Sequence, residues 1–226
     1  MVPDCLDCSR PRPRPDHIVK PASAPIPAND EARLQTLGGP ASPAGAAARE
    51  RIRDGAVRAV IEHGPVVSMA QIATASGVSK ALLHYHYTDR AHLLADVVRR
   101  LATRLVARER TAVGAAPSGT TVDALWRWIQ GELQRGELRA LLELGTLRDE
   151  AVCTASRLAA DSRRASATST VAALFSQLGL TPRVPAVLLG DASAAFVDGL
   201  ALDGDSARDP RVSFDVFWLA LLSLAE

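Results

Sequence analysis

Lysine is almost absent from this sequence: of 26 basic residues only Lys20 and Lys80 are not arginine. Together with abundant alanine, that bias hints at GC-rich coding rather than at chemistry. Net charge is nearly absent too, at +1, which at first argues against a nucleic-acid partner. Cysteine is scarce, at Cys5, Cys8 and Cys153, and Cys5-x-x-Cys8 has no second Cys or His pair at zinc-finger spacing. No metal and no cofactor are therefore expected. No apolar run reaches the ~18–20 residues that a membrane span needs. The N-terminus lacks an apolar signal core, so the expected location is the cytoplasm, with no membrane partner. There is no nucleophile elbow, phosphate loop, dinucleotide fingerprint or HExxH, and an enzyme is not expected. Alternating β-branched stretches are missing as well, which leaves an all-α fold.

What is present is unevenly distributed. Residues 46–113 hold eleven basic and six acidic residues, whereas residues 114–226 hold ten and fourteen. A basic block joined to an acidic one suggests that one segment meets phosphate and the other does not, the alternative being chance fluctuation. Three regions follow. Residues 1–45, with RPRPRP and a Pro- and Gly-rich stretch to Pro43, read as a disordered tail. Arg10, Arg12 and Arg14 could touch DNA as a basic arm or simply be solvated. Residues 46–88 read as a helix-turn-helix unit, and residues 89–226 as a longer helical domain, to which the resemblance described below assigns effector binding and dimerisation.

The first helix carries a stripe of Ile52, Ala56, Ala59, Val60 and His63 and stops at Gly64-Pro65. Ser68, three residues before Gln71, predicts a capping box opening a helix over Met69–Ser76. Gly77 can supply the positive φ of a tight inter-helix turn, and Ser79 can cap a helix over Lys80–Tyr87. Asp89 can cap a long helix through Arg110, striped by Leu93, Val97, Leu101 and Leu105. Ile72-Ala73-x3-Gly77-Val78-x4-Leu83 is a helix-turn-helix frame, with Ala73 small at the helix contact and Val78 and Leu83 facing inward. Such a frame also occurs in proteins that bind no DNA.

Residues 51–94 as a whole resemble the N-terminal domain of the tetracycline-repressor (TetR) family. The matching residues are Ile52, Ala56, Gly64, Ser68, Ile72, Ala73, Gly77, Val78, Ser79, Lys80, Leu83, Leu93 and Leu94. Val60 stands for a usual Phe, Tyr87 for the closing Phe, Ala81 for a common Gly and Arg90 for a common Lys. His84-Tyr85-His86 replaces the usual aromatic box, and the loop after Gly64 is about one residue short. The resemblance implies a DNA-reading helix at Ser79–Tyr87. Lys80 would reach a guanine edge or a phosphate, Ala81 or Leu82 a thymine methyl, and His84 and Tyr85 phosphates or bases. Ser79 caps the reading helix, and Ser68 and Arg90 would clamp phosphates at helix starts. His84 and His86, two apart on a helix, point to different sides and do not share a metal.

The family also implies an effector pocket and a two-fold dimer interface in the C-terminal half. Helices are expected at about Val122–Arg135, Leu138–Leu147, Glu150–Leu178, Pro185–Leu202 and Ser213–Ala225. Val152, Leu158, Val171, Leu174, Phe175 and Leu178 stripe the third of these. The apolar stripes read either as core or, in part, as a pocket edged by Trp126, Ile129, Leu133, Arg148, Cys153 and Phe175, suited to an apolar or amphipathic ligand. The helices at 185–202 and 213–225 carry too much apolar surface for a lone surface pair and are expected to form a homodimer, the alternative being a monomer core. The expected partners are thus a double-stranded DNA operator, an unidentified small-molecule effector and a second copy of the chain. The expected function is a repressor released from an inverted repeat. The alternatives are an activator or partner-controlled regulator, and a helical dimer that binds no DNA.

Overall fold

The computed structural model describes residues 42–116, 119–203 and 209–226, and no strand occurs among them. The tail expected over residues 1–45 lies outside them up to residue 41. Nine α-helices make up the described chain: α1 Pro43–His63, α2 Met69–Ser76, α3 Lys80–His86, α4 Arg90–Gly114, α5 Thr121–Arg135, α6 Glu137–Leu144, α7 Glu150–Gln177, α8 Ala186–Leu202 and α9 Pro210–Leu222. A 3-10 turn at Gly64–Val66 joins α1 to the segment before α2.

Local signals set most of the helix starts. The Ser68 hydroxyl accepts from the Gln71 amide at 3.2 Å while the Gln71 side chain accepts from the Ser68 amide at 2.8 Å, closing the expected capping box. Ser79 accepts from Leu82 N–H at 3.1 Å, and Asp89 from His92 N–H at 2.9 Å. Gly77 ends α2 in the left-handed region at φ 65°. Several boundaries differ: α4 runs on to Gly114 rather than Arg110, α6 ends at Leu144 rather than Leu147, and α9 spans Pro210–Leu222 rather than Ser213–Ala225. Pro43, taken from the sequence as part of a helix-breaking tail, is instead the first residue of α1, with Ser42 as its cap. A proline costs nothing at that position because its missing N–H would have had no intrahelical partner.

The core is continuous across the expected boundary at 88/89. One cluster runs from Ile52, Ile72 and Leu83 through Leu94 and Leu101 on α4 to Ile129, Leu144 and Phe214. A smaller cluster joins Val171, Leu174 and Phe175 of α7 to Leu189, Trp218 and Leu221. Helix α4 is the shared element: it meets α1 near its start and packs along α7. Two glycines set close helix contacts. A Cβ on Gly55 of α1 would lie 2.4 Å from Ser76 Cα of α2, and one on Gly190 of α8 would lie 2.6 Å from Thr168 Cα of α7.

Several stripe residues are corrected. His63 and Leu158 do not face the core; both are exposed, Leu158 by 63%. Helix α8 turns Leu188, Ala192, Ala195, Gly199 and Leu202 to the surface, at steps of four and three. Helix α9 does the same with Val212, Val216, Leu219 and Ser223, while Leu221 points inward. The chain end is tied down by a short antiparallel bridge, with Thr181 N–H donating to Glu226 C=O at 2.9 Å and Arg183 N–H to Leu224 C=O at 2.8 Å.

Candidate nucleic-acid interface and internal cavity

Helix α3 is only seven residues long, too short to be stable alone. It is fixed by its Ser79 cap, by fully buried Leu83 and by Tyr87, which closes it. The Tyr87 hydroxyl donates to Asp96 of α4 at 2.7 Å, and Arg53 Nε of α1 donates to the same carboxylate oxygen at 2.8 Å. Arg49 of α1 adds a contact at 3.3 Å and lays its guanidinium over the Tyr87 ring, 5.2 Å from its centroid. Burial alone would raise the Asp96 pKa, but the Tyr87 hydroxyl and the Arg53 and Arg49 charges outweigh it and hold the carboxyl below the usual aspartate range. This network fastens the end of α3 to both α1 and α4.

So held, α2 and α3 expose a polar face. Ser68, Gln71 and Thr74 are exposed on or before α2, and Ser79, Lys80, His84 and Tyr85 on or before α3. Gln71 and Thr74 are additions that the capping box could have suggested, since they flank its exposed side. Ala81 is half-buried and accessible, but Leu82 is 9% exposed and turned inward. The apolar contact expected of either residue therefore falls to Ala81. Arg90 also departs from expectation. Its Nε donates to Val67 C=O at 2.7 Å and its Nη2 to Pro65 C=O, so the guanidinium holds the loop ahead of Ser68 instead of standing free as a phosphate clamp. His86 turns away from the exposed face, and burial, with the nearby Arg49 charge, lowers its pKa.

The C-terminal half holds a narrow, partly open cavity of about 40 Å3 between α4, α5, α7, α8 and α9. Its walls include Leu105, Trp128, Ile129, Phe196, Phe217 and Trp218. Phe196 of α8 and Phe217 of α9 are stacked in parallel, 4.2 Å between centroids, and both are half-buried. The polar part of the lining includes Glu109, Thr170 and Arg163. Of the six expected pocket residues, only Ile129 reaches this cavity. Leu133 lies on a separate open groove, Arg148 is exposed, and the Cys153 thiol donates to Leu147 C=O at 3.2 Å. Trp126 packs on Phe214 at 5.2 Å and Phe175 on Trp218 at 6.4 Å, as core. Trp128, rather than Trp126, joins Ile129 in lining this cavity.

Three buried acids occur among the described residues: Asp96, Glu109 and Glu132. Glu132 receives a two-pronged contact from Arg108, with both N···O distances 2.6 Å, and a third from Arg135 at 3.1 Å. Glu109 receives only hydroxyls, Ser166 at 2.7 Å and Thr170 at 2.8 Å. Burial pushes its pKa up, and those hydroxyls and the more distant charges of Arg163 and Arg110 offset only part of the rise. Arg163 is itself paired with Asp198.

No helix of the described residues is long and apolar enough to cross a membrane. No curated protein matches the sequence. Residues 52–97 match the model of the bacterial regulatory proteins of the tetR family. Among solved structures, a TetR transcription regulator from Haloarcula marismortui superposes with a TM-score of 0.66 at 19% identity, over 80% of this chain and 100% of that one. A transcriptional regulator from Rhodococcus sp. gives 0.63 at 18% identity, over 78% and 97%. The fatty acid degradation regulator from Bacillus halodurans gives 0.61 at 14%, over 77% and 94%. These likenesses are of fold. The capped α2–Gly77–α3 unit thus lies within the residues that match the tetR family model, and the all-helical fold of the described residues is the one seen in solved TetR-family regulators.

Proposed function

We propose that the protein is a homodimeric repressor that reads an inverted-repeat DNA site and leaves it when an apolar or amphipathic small molecule enters the C-terminal half. The observation that carries the DNA reading is the exposed row Ser79, Lys80, His84 and Tyr85 on a helix locked from behind by Leu83 and Tyr87. Lys80 sits one position after the cap, where a reading helix presents side chains to base edges, and Ala81 is placed for a thymine methyl. Ser68 and its exposed neighbours on α2 lie at a helix start suited to phosphate. Replacing Lys80 with Ala should weaken specific DNA binding by about ten- to a hundred-fold, the ~1–3 kcal/mol of a good base contact, and leave thermal unfolding unchanged. The readout is a titration at fixed salt against a duplex selected from random sequence. Equal affinities would remove Lys80 from the interface.

The dimer reading rests on the exposed apolar rows of α8 and α9. Val216 and Leu219 are 63% and 65% exposed, and Leu188 and Leu202 are each 56% exposed. Their spacing of three and four suits a seam in which four helices, two per chain, cover one another. Small Ala192, Ala195 and Gly199 between the leucines permit close approach. The double replacement Val216→Glu and Leu219→Glu should give monomers in sedimentation at micromolar concentration and abolish DNA binding. Leu221, which faces the chain's own core, is the wrong residue for this test. A wild type that sediments as a monomer would overturn the dimer and the inverted repeat with it.

Release follows from α4, whose start holds the Tyr87 anchor and whose far part lines the cavity. A ligand that tilts α4 moves one reading helix relative to its twin, and linkage then requires DNA and ligand to oppose each other by the same factor.

A further inference from the structure

The cavity is unusual in how its charge is balanced. Arg163 is neutralised by Asp198, with which it makes a two-pronged pair across α7 and α8. Asp96 and Glu132 each have arginine partners. Glu109 alone of the buried acids has none, and its carboxylate, 6% exposed, stands on the wall of a space otherwise built largely of aromatic and aliphatic side chains. Trp128, which lines both this space and the open groove beside it, has a buried indole N–H with no acceptor among the described residues. Removing an acid from water without a counter-charge is costly, and so is leaving a buried donor unpaired. A bound molecule could relieve both.

From this arrangement we infer that the effector is an organic cation: an aromatic or alkyl body with an ammonium or similar group that pairs with Glu109, and an acceptor atom or π-face that meets the Trp128 N–H. The aromatic lining suits such a molecule for a second reason. The ring faces of Trp128, Trp218, Phe196 and Phe217 carry the negative side of their quadrupoles, which attracts a cation once water is excluded. Anionic amphiphiles are disfavoured by the same wall, because Arg163 already has its carboxylate in Asp198 and Glu109 would repel a second one. At about 40 Å3 the space holds little more than a water, so binding must open it. The parallel Phe196–Phe217 pair is the place for this: both rings line the cavity, both are half-buried, and they belong to different helices. A flat ligand ring that takes the place of one of them would separate α8 from α9 and bring its charged end toward Glu109 on α4. This inference rests on the reading of the C-terminal half as an effector domain and adds to it the charge of the effector.

The test uses three probes with one aromatic body: 2-(2-naphthyl)ethylamine, 2-(2-naphthyl)ethanol and 2-naphthylacetate, titrated calorimetrically into the full-length protein at neutral pH. The amine should bind at least ten-fold tighter than the alcohol, and the carboxylate most weakly. Glu109→Gln, which keeps shape and removes charge, should bring the amine down to the alcohol and leave the alcohol unchanged. If that variant does not fold, Ser193→Lys, which sets an ammonium on the cavity wall from α8, should by itself erase the preference for the amine. An alcohol or carboxylate that binds as well as the amine, an amine preference that survives these substitutions, or binding of none of the three overturns the inference. Adding the amine to the protein on its selected duplex separates the two claims. Binding with the stated charge preference but without release of DNA would leave the cation site standing and sink the effector role.

Discussion

Asp96 and Glu109 stand on the same helix, one near each end of α4, and both are buried, yet their surroundings are opposite. Asp96 is met by a tyrosine hydroxyl and two arginines from the DNA-binding head, and its carboxyl is held below the usual range. Glu109 is met by a serine and a threonine, and burial drives its pKa up. A carboxylate saturated by cations ties three helices into one fixed geometry. One left without a cation has an unmet electrostatic need that a ligand can satisfy. The head is finished as it stands, and the cavity in the other half is not.

The largest effect should come from the fixed fit of the head itself. Gly55→Ala places a Cβ 2.4 Å from Ser76 Cα, backbone against side chain, with no flexible group to give way. Helix α2 must move away from α1, breaking the Ser76 hydroxyl contact to Ile52 C=O at 3.3 Å. The expected loss is about 3 kcal/mol or more, which for a chain of this size lowers Tm by roughly 6–12 °C and removes specific DNA binding. Gly190→Ala makes a similar clash with Thr168 at 2.6 Å, but between α7 and α8. It should reduce stability comparably while disturbing the cavity more than the reading helix. If Gly190→Ala costs as much DNA affinity per degree of lost Tm as Gly55→Ala, the head and the body are not separable in this way.

A smaller and sharper contrast comes from neutralising each acid in place. Asp96→Asn should cost about 2 kcal/mol at neutral pH. That is less than the ~3–5 expected when a fully buried pair is broken, because the Arg49 and Arg53 side chains are 43% and 24% exposed and can turn to water. It should also weaken DNA binding, since Tyr87 would lose the anchor that orients the end of α3. Glu109→Gln should do the reverse, leaving stability unchanged or raising it by up to about 1 kcal/mol, with DNA binding intact. Urea unfolding of the two variants checks the signs. Equal losses from both would mean that Glu109 is a structural acid like Asp96.

Much of the head was legible because its signals are local. Ser68 with Gln71, Ser79, Gly77 and Asp89 each act on backbone groups within a few residues, and the structure places each as expected. The glycines at 55 and 190 were not legible in the same way, since their partners Ser76 and Thr168 lie about 20 residues away in sequence and on other helices. The α4 stripe did contain an unread signal. Leu93, Val97, Leu101 and Leu105 recur at steps of four, and the next step lands on Glu109. A carboxylate in line with a buried stripe marks a position where something polar must face inward. Trp126 and Phe175 illustrate the converse: large apolar side chains on a stripe most readily become core, as both do here. Arg90 was assigned to phosphate because it sits at a helix start, a position that equally brings it over the carbonyls of the preceding loop.

The smallest expected effect is a difference in pH dependence, and it tests the comparison without relying on DNA or ligand. Asp96 has a folded pKa below its unfolded one, so its contribution is fully present above the ordinary aspartate range, ~3.9, and is lost as pH falls through the lower folded value. Glu109 has the opposite sign. The unfolded chain releases this proton near ~4.3, while the folded protein keeps it to a higher pH. Across the window between the two values stability therefore falls as pH rises. The groups facing Glu109 are Ser166, Thr170 and Arg163 from α7 and Arg110 from its own helix, with Asp198 balancing Arg163. The stability gained by Glu109→Gln should thus shrink as pH is lowered toward the ordinary glutamate range, because a protonated Glu109 is nearly a glutamine. The loss from Asp96→Asn should persist over the same interval. Chemical unfolding of the wild type and both variants at about half-unit steps of pH gives the two difference curves. Parallel curves would mean that the two ends of α4 are electrostatically alike, and the Glu109 cation site would lose its physical basis.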